Sequence, residues 1–114
     1  MIAISLPWPP SANRYWRTYQ GRMIISREAR EYRTLVGNLV SKLSINKCLG
    51  RLEVVLATYP PDRRKRDLDN LLKVVFDSLQ KAMVYEDDSQ IDKITIQRFQ
   101  VIKGGNIEVE INEI

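Results

Sequence analysis

The sequence predicts an α+β fold, a single domain spanning residues 1–114 in which a mixed β-sheet packs with two main helices. Three observations carry this. Two stretches, roughly 26–43 and 67–83, repeat apolar residues at steps of three and four, the spacing of one helical face. Residues 2–6 and 106–113 alternate, the spacing of a strand. Residues 52–58, LEVVLAT, are apolar on both faces, as a strand in the middle of a sheet must be. A chain of 114 residues buries one core and little more.

Each element follows in order. Ile2, Ile4 and Leu6 alternate with Ala3 and Ser5, and PWPPSANR then stops the strand, because proline cannot continue a ladder. RMII, residues 22–25, predicts a short strand. Ser26 is placed as the N-cap of a helix to about residue 43, whose apolar members are Tyr32, Leu35, Val36, Leu39, Val40 and Leu43. Arg27, Arg30 and Arg33 recur every three residues and share a face of it. SINKCLGR is a loop, and the central strand at 52–58 follows. The second helix carries Leu68, Leu71, Leu72, Val75 and Leu79, with Asp67 placed as its N-cap, and VYEDDSQ ends it. Residues 93–102 and 106–113 are expected to be two strands of a hairpin joined at Gly104-Gly105. The apolar phase slips by one between Ile96 and Phe99, which predicts a bulge there.

Composition narrows the chemistry. The chain has no histidine, which excludes imidazole acid–base work, His-dependent triads and His-ligated zinc. Its lone Cys48 rules out an intrachain disulfide and predicts a small buried hydrophobe. No apolar run approaches the roughly 20 residues of a membrane span, and MIAISLPWPP lacks the basic start of a signal peptide. A cytoplasmic protein with no membrane partner is expected. Residues 1–66 hold 13 Lys and Arg against 4 Asp and Glu, whereas residues 67–114 hold 5 against 10. The basic half favours a polyanion, since cations near phosphate release condensed counterions.

The two signs of charge meet in RRKRDLDN, residues 63–70. Arg63, Arg64, Lys65 and Arg66 suit a phosphate backbone. Asp67 and Asp69 can converge at a strand-to-helix junction and, as oxygen ligands, favour a hard cation, Mg²⁺ or Mn²⁺. Asp69 and Lys73 share a helical face. The plainer reading has Asp67 as a cap, Asp69 facing the helix dipole, and Lys73 paired with Asp69 or Asp77. A second acidic cluster, Glu86-Asp87-Asp88, lies beyond the far end of the helix, about 25 Å away at 1.5 Å per residue. Asp88 joins the first pair only if the chain turns back sharply after Met83, or if a partner subunit supplies it. Trp8, Tyr15 and Trp16 read equally as core or as stacking platforms for unpaired bases.

Four blocks occur in order: LPWPPSANRYWR, PDRRKRDLDNLLKVVFDSL, EDDSQI and KGG. In these the chain resembles, over nearly its whole length, the RusA family of Holliday junction resolvases, typical of bacterial prophages. The resemblance implies a homodimeric, Mg²⁺-dependent endonuclease, with Mn²⁺ as a substitute, that nicks four-way DNA junctions symmetrically and takes no small-molecule substrate. It places the essential carboxylates on Asp67, Asp69 and Asp88, the functional lysine on Lys73 and the key arginine on Arg66. DNA contacts are expected from Arg63, Arg64, Lys65 and Arg66, joined by Arg14 and Arg17 of the first block. Residues 41–51 match poorly, and Asp92 gains no role. Two rival classes are a non-catalytic, structure-selective DNA-binding module and a regulatory dimer with a charged patch. Cleavage of a junction with Mg²⁺ separates the enzyme from both.

Overall fold

The computed structural model of the protein describes all residues, 1–114. Its strands are β1 (Ile2–Leu6), β2 (Trp16–Tyr19), β3 (Arg22–Ile25), β4 (Leu52–Tyr59), β5 (Ile91–Arg98) and β6 (Asn106–Glu113). Its helices are α1 (Arg27–Ser41) and α2 (Asp69–Lys81), with single 3₁₀ turns at Ala12–Arg14 and Asp88–Gln90. The main sheet runs β1-β6-β4-β5. The β4–β5 pair is parallel, with α2 in the connection, and the other two pairs are antiparallel. The predicted mixed sheet with two helices is therefore what the chain forms.

One face of the sheet makes the core. Val54 pairs with Ile111, Leu56 with Val109, and Ile4 with Val109, so these buried side chains lie on the same face. Against them α1 buries Ala29, Tyr32, Val36 and Val40, and α2 buries Leu71, Val74, Val75 and Leu79. Leu35 and Leu43 fall off the buried stripe and are exposed. The other side of β4 is only half-buried, so this strand is central without being covered on both faces. That second face carries polar pairs, including the Ser5 hydroxyl donating to Glu108 and an ion pair between Lys93 and Glu53.

The Ser26 cap forms as predicted: its hydroxyl accepts from the Ala29 N–H at 3.2 Å. Its own N–H donates to the Tyr15 carbonyl at 2.8 Å, closing the base of a β2–β3 hairpin. The strand β2 has no counterpart in the sequence prediction. Cys48 is buried, as expected.

Two expectations fail. Residues 93–102 and 106–113 do not form a hairpin, because β4 lies between β5 and β6. The glycines do make a turn, with Gly105 N–H donating to the Ile102 carbonyl and φ of 84° at Gly104, but the connection passes the end of β4. The irregularity is also elsewhere. It falls between Leu52 and Glu53, where Asp92 is the extra residue opposite β4. The phase slip near Phe99 marks the end of β5 at Arg98, after which Phe99 N–H bonds Thr58 O and Ile102 N–H bonds Pro60 O.

Candidate active site

The basic run sits in the loop between β4 and α2, and Asp62 organises it. Its carboxylate accepts from Arg66 Nη1 at 2.6 Å and from the Arg64 N–H at 2.9 Å and Nη2 at 3.0 Å. The hydrogen bonds from Arg66, then Arg64, hold the Asp62 carboxyl well below the usual carboxylate range. The Arg66 guanidinium also lies over the Trp8 ring, 5.7 Å from its centroid, and Arg98 donates to the Arg66 carbonyl at 2.5 Å. Arg66 thus shapes the loop. Arg63 and Lys65 are exposed and make no ion pair, while Arg64 is exposed but tied to Asp62.

Asp67 is not the cap of α2. That position belongs to Leu68, whose φ of −62° and ψ of −38° are already helical, and no side chain caps the helix. The first turn starts tightly, with Asn70 N–H bonding the Asp67 carbonyl and Leu71 N–H the Leu68 carbonyl. Asp67 and Asp69 are both exposed, and neither carboxylate takes part in a hydrogen bond or ion pair within the chain. Lys73 chooses Asp77, not Asp69, at 3.4 Å.

Asp67 opens onto a cleft of about 860 Å³ that Trp8, Arg14, Arg64, Lys65, Arg66 and Asn70 also line; Asp69 and Lys73 lie outside its lining. An adjoining cleft shares Arg14 and adds Trp16 and Arg17 of the hairpin. Of the three aromatic residues left open by the sequence, Tyr15 is core at 1% exposure, Trp8 is half-buried and Trp16 is 45% exposed.

Asp88 lies elsewhere. The helix ends at Lys81, Met83 two residues on lies in the left-handed region at φ 70°, and the chain does turn there. It then anchors beside the last turns of α2: Tyr85 donates to the Phe76 carbonyl at 2.7 Å and the Asp88 N–H to Gln80 Oε1 at 3.0 Å. From Asp69 to Gln80 the helix rises about 16 Å. Within one chain no group of three Asp, Glu, His or Cys side chains gathers where it could hold a metal ion. Two free carboxylates nevertheless fit Mg²⁺, which keeps several waters and binds proteins through one or two carboxylates.

Three further residues, given no site role in the sequence reading, set the geometry. Asp62 is one. Gln90 is buried; its Oε1 accepts from the Glu86 and Asp87 N–H groups and its Nε2 donates to the Cys48 and Gly50 carbonyls. It thereby fixes the turn that presents Asp88, while Asp87 is engaged by the Ser89 hydroxyl at 2.6 Å. Asp77 is the third, bonded by Tyr15, Arg33 and Lys73. The sequence signal for Gln90 was its place in the EDDSQI block. Asp92, the extra acid, pairs with Arg51.

No helix is long and apolar enough to cross a membrane. The family model of endodeoxyribonuclease RusA matches residues 7–112. A crossover junction endodeoxyribonuclease RusA of Escherichia coli (strain K12) is 40% identical over 112 residues, covering 97% of this chain and 93% of the relative. The protein of that name from Shigella sonnei is 41% identical over 112 residues, with the same coverage. That of Enterobacteria phage 82 is 43% identical over 112 residues, covering 96% of this chain and 92% of the relative. A match across both acidic regions, the basic loop and the glycine turn places this chain in the endodeoxyribonuclease RusA family.

Proposed function

We propose that the protein is a crossover junction endodeoxyribonuclease that binds four-way DNA junctions as a homodimer and resolves them by paired symmetric nicks. The observation that carries this reading is the pair of free, exposed carboxylates at the start of α2, Asp67 and Asp69, the first of which lines a cleft together with Arg14, Arg64 and Lys65. Carboxylates repel phosphate, so a substrate backbone reaches them only if cations surround them. Arg63 and Lys65 are free to take the phosphates, with Arg64 shared between DNA and Asp62. Arg14 and Arg17 extend the track towards the hairpin, and Arg66 keeps the loop in shape.

Asp67 and Asp69 would hold Mg²⁺, or Mn²⁺ in its place, together with Asp88 of the partner subunit. A bound divalent ion supplies a water acidic enough to attack near neutral pH and a Lewis acid on the scissile phosphate. Lys73 would stabilise the charge that grows on the phosphate in the transition state. The distance along α2 supports a composite site: two helices packed antiparallel about a two-fold axis bring the start of each beside the end of the other, giving two complete sites. β5 is an edge strand, and its Ile94, on the core face beside Val54, is 44% exposed, which suits a surface that a second copy covers.

The test is cleavage of a synthetic four-way junction with Mg²⁺, wild type beside Asp69→Asn. Wild type should cut at symmetric positions, and Asp69→Asn should bind the junction without cutting it. Salt-sensitive binding with no cleavage by wild type would select the non-catalytic module instead.

A further inference from the structure

We propose that Asp77 is a positioning residue for Lys73, and that Tyr15 and Arg33 fix it in that role. The inference rests on Lys73 acting at the scissile phosphate, as proposed above. Asp77 stands one turn beyond Lys73 on the same face of α2, and its Oδ1 lies 3.4 Å from the ammonium. Its Oδ2 faces inward, where it accepts from the Tyr15 hydroxyl and from Arg33 Nη2 at 3.2 Å. Arg33 Nη2 also donates to the Tyr15 hydroxyl at 2.5 Å. The two oxygens thus divide their work: one is clamped by α1 and by the turn before the hairpin, and the other is left for the lysine.

Helix stability does not account for the arrangement. An acid four residues after a lysine is the less favourable order on a helix. Asp77 is only 16% exposed, so its charge has lost most of its water, whereas the Lys73 side chain is 53% exposed. Burial pushes the Asp77 carboxyl up, yet the donors around it outweigh this and hold it below its ordinary value. Arg33 bears a cost as well, since its buried Nε has no partner. A fixed carboxylate of this kind restricts an otherwise mobile four-carbon side chain before substrate arrives, which lowers the entropy lost in the transition state. At 3.4 Å the contact is long enough to release the ammonium to a phosphate. It also keeps Lys73 off Asp69, one turn in the other direction, leaving that carboxylate free.

The test is a double-mutant cycle on the full-length protein, using Asp77→Asn, Lys73→Ala and both together. Three quantities are read: the single-turnover cleavage rate at saturating four-way junction with Mg²⁺, junction affinity without Mg²⁺, and thermal midpoint. Asp77→Asn should slow cleavage about tenfold with affinity unchanged, the signature of an effect confined to the transition state. In the Lys73→Ala background the same change should leave the remaining rate within about twofold. Tyr15→Phe, which keeps the buried ring and removes only the hydroxyl, should give a smaller loss that also vanishes in that background. It carries the test if Asp77→Asn does not fold. Equal slowing in both backgrounds, or a wild-type rate for the single variants, overturns the tether. A wild-type rate for Lys73→Ala alone would instead show that the reading of Lys73 has failed, and the tether with it.

Discussion

At Gly105 the backbone has φ 74°, and an added Cβ would come within 2.8 Å of the Trp8 Cβ and 3.1 Å of Pro61 Cδ. Trp8 in turn supports Arg66. Thus the last and first sequence motifs meet behind the loop that carries the middle one. Gly105→Ala should cost about 1–3 kcal/mol from its backbone conformation alone. Denaturant unfolding measures the loss; a loss within that range would mean that Trp8 yields freely, and an unchanged midpoint would refute the backbone cost itself. Junction affinity should fall too, as the loop loses its support. Single residues of this sort were hard to read from the sequence. Asp67, Asp69 and Lys73 are close enough in the chain for their spacing to raise them as candidates, beside the plainer reading of a helix start; their roles came from the family resemblance. Gln90 bonds to carbonyls 40 and 42 residues away, and Arg33 lies 44 residues from Asp77, so nothing near them in the chain reveals the partner. Asp67 misled for the opposite reason: a good capping residue stands just before the helix, yet its side chain makes no cap hydrogen bond.

The loop of residues 60–68 acts as a unit, and its four cations are not equivalent. Replacing both Arg63 and Lys65 by Ala should flatten the slope of log affinity against log salt by about 1.8, at roughly 0.9 per lost phosphate contact on duplex arms. Arg64→Ala should remove less, because Asp62 already neutralises part of that charge. Titrating junction binding at several salt concentrations measures both, and equal losses would mean that DNA breaks the Asp62 pair. The elements themselves were unevenly legible. α1 and α2 follow from apolar steps of three and four, and β1, β4 and β6 from alternation and apolar runs. β2 was missed because all four of its residues are exposed, leaving no alternation to detect. The false hairpin has a general cause. A glycine pair specifies a turn, but not which strand becomes a neighbour, and the parallel β4–β5 pairing has no local signature.

For the whole molecule, the proposed dimer makes a prediction that no single chain can. With two sites, each needing the start of one α2 and Asp88 of the partner subunit, every heterodimer of wild type with Asp69→Asn keeps one intact set of ligands. Wild type mixed with excess Asp69→Asn should therefore convert a supercoiled cruciform plasmid to nicked circles, whereas wild type alone gives linear product. An Asp69→Asn chain mixed with an Asp88→Asn chain separates the composite site from one completed within a chain. In the composite case the two lesions fall in the same site of the heterodimer, the other site is whole, and single nicks return. If each chain completed its own site, both sites would be damaged and no nicks should appear. The charge of the chain is uneven as well: residues 1–66 are strongly basic, and residues 67–114 hold both acidic clusters.

Strand β1 pairs along residues 2–6 with residues 107–111 and with no other strand. During synthesis, then, β1 has no strand of this sheet to bond to until β6, about 100 residues later, has left the ribosome. By that time the basic loop and both acidic clusters have long been translated. Since β6 also lies along the full length of β4, the sheet that orients α2 stays open at its centre until then. A message cut short before codon 106 would yield every motif of a nuclease without the frame that aims them.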